Sequence, residues 1–267
     1  MDKERASGWS YLDSRSAGMP LVLLHAFPLQ KAMWEEQVRL LEKAARVIAP
    51  DLPGFGGTPM TGVPGLELSS LDAYADAVVH FLENLGVRRA VFGGLSMGGY
   101  IVLATWRRHR ERVAGLILAD TRATADSPAA RENRFRLVER LKAEGPAAAV
   151  EQFVPRLIGP TSRTRRPDLI TQLRDWIMQN PVEGMIAASL AMAARPDSTE
   201  LLPTINVPTV VIVGEEDEFS PPAEAEAMAA RIPGATLARI PEAGHLTALE
   251  QPEAFAEAVR PVLAALP

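Results

Sequence analysis

The sequence predicts an α/β domain: a mostly parallel, doubly wound sheet with helices on both faces, into which an all-helical block is inserted. Three observations lead there. Between Leu21 and Ala119 short β-branched or apolar runs alternate with amphipathic helical patterns, as in a parallel sheet built from crossover units. After Asp120-Thr121-Arg122 that rhythm stops, and no strand pattern returns before Thr209. Two further strand patterns, Thr209–Val213 and Thr236–Ile240, then resume it near the C-terminus.

Taken in order, the expected strands are Leu21–His25, Arg46–Ala49, Ala90–Gly93 and Gly115–Ala119, with helices over Trp34–Ala44, Ser70–Leu85 and Gly98–Arg108. The segment Trp9–Leu12 is expected to form an antiparallel edge hairpin with the strand near Leu21. In the inserted block four helices follow, Pro128–Glu144, Ala147–Ile158, Pro167–Gln179 and Val182–Ala194. Gly145-Pro146, Gly159-Pro160 and Asn180-Pro181 separate them, dipeptides that interrupt helices for steric reasons. The resulting division is a core of residues 1–122 and 201–267 with a helical cap over 123–200.

A chain of 267 residues with 47% hydrophobic and 23% charged residues suits one core domain carrying an insertion. The net charge of −5 argues against nucleic acid as a partner. No apolar run is long enough to cross a bilayer, and Met1-Asp2-Lys3-Glu4-Arg5 opens no apolar leader. A cytoplasmic location without a membrane partner is therefore expected. With no cysteine, disulfides, thiolate metal sites and a cysteine nucleophile are excluded. The four histidines lack paired ligands at metal spacing, so neither metal nor cofactor is expected.

The chemistry is concentrated in Val91-Phe92-Gly93-Gly94-Leu95-Ser96-Met97-Gly98-Gly99-Tyr100, where a strand pattern runs into Gly-x-Ser-x-Gly and then turns helical. Such a strand-to-helix turn holds the serine in strained backbone and exposes its hydroxyl. Small residues two before and two after it, Gly94 and Gly98, prevent collisions. The following helix aims its first N–H groups at the site, which favours negative charge there. Downstream, the strand Thr209–Val213 leads to Gly214-Glu215-Glu216-Asp217-Glu218-Phe219-Ser220-Pro221, and Thr236–Ile240 leads to Pro241-Glu242-Ala243-Gly244-His245. Ser96, Asp217 and His245 thus occur in the order nucleophile, acid, base. His80 and His109 fall in helical patterns and His25 ends a strand, all three read as structural or solvent-facing.

On these residues the chain resembles the α/β-hydrolase superfamily, over about Gly18 to Leu266, and within it the group of small esterases, oxoadipate enol-lactonases and pimeloyl-carrier methyl esterases. The segment Leu21–Leu29 is similar to the His-Gly-Phe-Pro oxyanion loop of that family, with Ala26 where glycine is usual. By the resemblance, the backbone N–H groups of Phe27 and Met97 form the oxyanion hole. If the turn needed a positive φ at Ala26, alanine would cost about 1 kcal/mol. Pro50–Gly56 also matches the family, and Asp51 in it is expected to support the loop. Only Asp217 fits the spacing Gly-x-x-Asp-x-x-x-Pro; Glu215, Glu216 and Glu218 are read as loop charges, and Asp120 as an alternative acid position.

The resemblance implies a serine carboxylic-ester hydrolase working through an acyl-enzyme on small to medium, mainly apolar acyl esters. A serine at the elbow disfavours the epoxide and haloalkane hydrolases of the same fold, which need an aspartate there. Two alternatives stay open: a lactonase or enol-lactonase for a carboxylate-bearing substrate, and a non-catalytic ligand-binding member. Trp176, Met185 and Met192 are candidate pocket residues, because flexible thioethers adapt to varied acyl shapes. Between Asp126 and Glu200 eleven cations stand against ten acids. This arginine-rich face is either solvated, with helix-surface pairs such as Glu132 with Arg136, or supplies a guanidinium that grips a substrate carboxylate.

Overall fold

In the computed structural model, which describes residues 3–6, 8–60 and 70–266, the apolar runs of the sequence become the middle of one eight-stranded sheet. Its strands are β1 (Lys3–Ala6), β2 (Trp9–Asp13), β3 (Pro20–Leu24), β4 (Arg46–Pro50), β5 (Ala90–Leu95), β6 (Val113–Ala119), β7 (Thr209–Gly214) and β8 (Thr236–Ile240). They lie in the order β1-β2-β4-β3-β5-β6-β7-β8. From β4 to β8 every neighbouring pair is parallel. The residues of β5, β6 and β7 are all buried, which is why these strands read as continuous apolar runs and show no alternation. Edge strand β8 is largely exposed.

The helices that flank the sheet are α1 (Glu35–Leu41), α2 (Leu71–Asn84), α3 (Met97–His109), α9 (Pro222–Arg231), α10 (Thr247–Glu250) and α11 (Pro252–Ala264). Ser70 caps α2 by accepting the Ala73 N–H at 3.2 Å, a bond that satisfies one of the free donors of the first turn. Among the described residues no helix is long and apolar enough to cross a membrane.

Two expectations are corrected. The segment Trp9–Asp13 pairs antiparallel with β1 and with β4, and not with the strand at Leu21. Strand β4 lies between them, held to β2 by the Arg46–Asp13 ion pair (2.6 Å) and by Asp51 N–H donating to the Ser10 carbonyl (2.8 Å). The segment between β6 and β7 contains five α-helices where four were expected, α4 (Pro128–Glu144), α5 (Ala147–Leu157), α6 (Pro160–Arg165), α7 (Asp168–Met178) and α8 (Val182–Ala193), followed by a 3-10 turn at Thr199–Thr204. The additional α6 spans six residues, too few to show a 3.6-residue apolar period.

Candidate active site

Ser96 sits between β5 and α3 with φ 56° and ψ −114°. A non-glycine residue there carries strain of about 1–3 kcal/mol, tolerated only where surrounding bonds enforce it. Ser96 N–H donates to the Ala119 carbonyl (2.9 Å), and Thr121 Oγ1 donates to the Ser96 carbonyl (2.8 Å). The two glycines of the motif are required by close approach. A Cβ on Gly94 would collide with the backbone of Gly98, and one on Gly98 with the carbonyl of Leu24.

The loops after β7 and β8 bring the other two groups to this turn. His245 Nε2 lies 2.8 Å from Ser96 Oγ, and His245 Nδ1 lies 2.8 Å from Asp217 Oδ2. An ionised carboxylate only accepts, so the imidazole carries its proton on Nδ1 and leaves Nε2 to accept from the serine hydroxyl. The other carboxylate oxygen of Asp217 accepts Phe219 N–H (2.7 Å) and Ser220 N–H (2.9 Å), which fixes its orientation. Asp217 and His245 are both buried.

Two further buried carboxylates hold these loops, and sequence reading assigned neither that role. Asp120, at the end of β6 with φ 45°, accepts Gly214 N–H (3.0 Å), Thr247 N–H (3.2 Å) and Thr247 Oγ1–H (2.5 Å). Burial, reinforced by the charge of Asp217, pushes its carboxyl well above the ordinary carboxylate range. Glu250 accepts the N–H groups of Gly159, Gly244 and Leu246. Of the glutamates read as loop charges, Glu216 accepts Thr161 N–H at 3.0 Å and so ties α6 to the acid loop, while Glu218 pairs with Arg156 at 3.1 Å near the surface.

The segment Ala26–Leu29 lies over the same site. Ala26 has no positive φ, so alanine is unstrained at this position. Its N–H is directed at Met33 Sδ (3.3 Å), whereas the N–H groups of Phe27 and Met97 have no acceptor among the described protein groups. Asn180, between α7 and α8, donates to the Pro28 carbonyl (2.8 Å) and accepts Gly56 N–H (2.8 Å). Asp51 holds Lys31 in a buried ion pair (2.6 Å) and accepts Lys31 N–H and Gly57 N–H, a loop-supporting arrangement. His25 donates from Nδ1 to the Ala26 carbonyl and accepts Leu52 N–H at Nε2, and burial lowers its pKa to about 4. His80 is exposed beside Glu83, and His109 is paired with Asp76.

A cavity of about 260 Å³ opens onto Ser96 and His245, small for a ligand pocket. Its apolar wall comprises Phe27, Leu137, Phe153, Leu157, Met192 and Phe219, contributed by the segment Ala26–Leu29, α4, α5, α8 and the loop after β7. Phe219 packs on the His245 ring at 5.0 Å between centroids, and Phe153 on Phe27 at 5.5 Å. Of the three residues expected in the pocket, Met192 lines it. Met185 is fully buried and Trp176 packs against the core, and neither belongs to the cavity wall. The wall is more polar than the sequence suggested, with Arg122, Asp126, Arg134, Gln152 and Arg156 facing it. These come from separate turns and helices, so no local pattern marks them as one surface.

A family model described as the alpha/beta hydrolase fold matches residues 19–252, and the chain belongs to the α/β-hydrolase family. Over 253 residues it is 31% identical to a pimeloyl-[acyl-carrier protein] methyl ester esterase of Aromatoleum aromaticum, covering 91% of this chain and 97% of that one. Among solved structures it is similar to a thermophilic esterase from Thermogutta terrifontis, solved with malate bound, at 45% identity and TM-score 0.90, covering 96% and 93% of the two chains. It is also similar to the enol-lactonase from Burkholderia xenovorans, at 27% identity and TM-score 0.85, covering 96% and 97%. Esterases and enol-lactonases among these relatives mark the chain as an enzyme of the hydrolase class.

Proposed function

We propose that the chain is a serine carboxylic-ester hydrolase acting on small to medium acyl esters through an acyl-enzyme at Ser96. The observation that carries this reading is the hydrogen-bonded series Ser96 Oγ, His245 Nε2, His245 Nδ1, Asp217 Oδ2, each contact 2.8 Å, at the mouth of the cavity. His245 Nε2 takes the hydroxyl proton as Oγ bonds to the carbonyl carbon. Asp217 stabilises the imidazolium and keeps it oriented. The carbonyl electron pair moves onto oxygen, where the N–H groups of Phe27 and Met97 receive it, each such donor being worth about 3 kcal/mol in the transition state.

Collapse of this intermediate breaks the C–O bond to the alcohol, which leaves with the proton from Nε2. Water repeats the cycle on the acyl-enzyme, giving the carboxylic acid and free Ser96. The helices of residues 123–200 act as a cap in this reading, excluding water from the cavity and strengthening the oxyanion hydrogen bonds. A lactone is an internal ester and would open by the same steps, a second reading favoured by the similarity to an enol-lactonase.

The test is the time course of p-nitrophenol release from p-nitrophenyl acetate, with a panel of esters, lactones and thioesters ranked by kcat/KM. A burst followed by steady turnover is expected. Stoichiometric release with no turnover would identify a binding protein.

A further inference from the structure

We infer that Arg122 forms a carboxylate subsite in the substrate cavity, so that the preferred substrates are esters or lactones carrying a second, ionised carboxylate. This rests on the ester-hydrolase reading above. Arg122 follows the end of β6 and faces the cavity that also holds Ser96 and His245. Its Nη2 donates to the Phe219 carbonyl oxygen, while its Nε is buried with no hydrogen-bond partner. Among the described residues no carboxylate pairs with this guanidinium.

The other charged groups of the wall are already matched. Asp126 binds Arg134 through one oxygen and Arg195 (2.6 Å) through the other. Burial would raise its carboxyl, but the two guanidiniums outweigh that and hold it below its ordinary range. It is thus neutralised without Arg122. Arg156 pairs with Glu218 and lies over the Phe219 ring, 4.5 Å from its centroid. Among the described residues Arg122 is therefore the wall cation without a carboxylate partner. A buried guanidinium N–H without an acceptor is costly, and a planar carboxylate beside Arg122 satisfies that donor together with an Nη–H once the guanidinium turns towards it. A neutral acyl chain satisfies none.

The sequence directed attention to arginines from Arg131 onward, all in the helical insertion. Those that reach the cavity, Arg134 and Arg156, have carboxylate partners. The cation without one lies just ahead of the insertion, on the core.

The test compares methyl pentanoate with monomethyl glutarate, esters of equal chain length that differ in a terminal carboxylate, near neutral pH. The wild-type kcat/KM should favour the half-ester by about tenfold or more. Arg122→Gln should bring the ratio to about one or below, and Arg122→Lys to an intermediate value. A loss caused by disturbing the Phe219 loop falls on both substrates and leaves the ratio unchanged. A wild-type ratio below tenfold, or one that Arg122→Gln leaves within twofold of wild type, overturns the subsite while the hydrolase reading stands. Turnover of neither ester overturns both. Should the variants fail to fold, competition in the wild-type enzyme decides. Glutaramate, which carries a carboxylate at the end remote from its amide, should inhibit p-nitrophenyl acetate hydrolysis about tenfold more strongly than the neutral pentanamide, and equal inhibition overturns the subsite.

Discussion

Glu250 brackets His245: its Oε2 accepts the N–H of Gly244 at 2.8 Å and its Oε1 the N–H of Leu246 at 3.0 Å. The peptide units before and after the imidazole thus hang from one buried carboxylate. The same Oε2 accepts Gly159 N–H at 2.8 Å, which joins the histidine loop to the start of α6. Reach and angle of the imidazole towards Ser96 are set by this bracket together with Asp120, which holds Thr247 two residues on.

Glu250→Gln replaces one acceptor oxygen with an amide that confronts a backbone N–H. A buried donor left unmatched costs about 1–3 kcal/mol, so Tm should fall by several degrees. The displaced imidazole should lower kcat by about tenfold or more with KM little changed. Differential scanning calorimetry and steady-state kinetics on one ester check this; an unchanged Tm and kcat would show that the bracket does not position His245.

Asp217→Asn removes the acceptor that holds the His245 Nδ1–H tautomer, and turnover should fall by about 10⁴-fold. Asp120→Asn leaves that contact intact and disturbs the bonds to Gly214 and Thr247, so its main effect should be on stability. Kinetics of the two variants side by side separate the roles. Greater damage to kcat from Asp120→Asn would assign the acid to β6.

The elbow, Asp217 and His245 were legible because their constraints are local. Gly94 is dictated by a backbone collision with Gly98 four residues on, the Gly-x-Ser-x-Gly spacing lies within one turn, and the two loops follow directly on the strand patterns of β7 and β8. Glu250 and Asn180 were not legible, since a side chain that binds backbone N–H or C=O groups imposes no residue type on its partners, and part of what they bind is distant in sequence: Gly159 is 91 residues from Glu250, and Pro28 is 152 from Asn180. Trp176 and Met185 show the same limit from the other side. Composition marks a helix residue as apolar, but whether it faces the core or the cavity depends on how α7 and α8 are rotated against their neighbours. Pairing of β2 with β4 was hidden too, because β4 enters the sheet from further along the chain.

His25 should remain neutral through mildly acidic pH. Burial lowers its pKa from 6.5 to about 4, so between those values the unfolded chain binds a proton that the folded chain does not. The stability contributed by this residue is then fully present above pH 6.5 and is lost as pH falls towards 4, amounting to about 3 kcal/mol at the lower end. Ring-nitrogen NMR should show the Nδ1–H tautomer of His25 midway through that window. Protonation near 6.5 would mean that the bond from Leu52 N–H is not formed.

Ser96 as the covalent nucleophile is tested most directly by mass spectrometry of the full-length protein after reaction with a serine-directed p-nitrophenyl phosphonate. One adduct per chain, on Ser96 alone and accompanied by complete loss of ester turnover, is the predicted result, with no labelling of Ser96→Ala. An adduct on any other residue, or a Ser96→Ala variant retaining activity within tenfold of wild type, would contradict it.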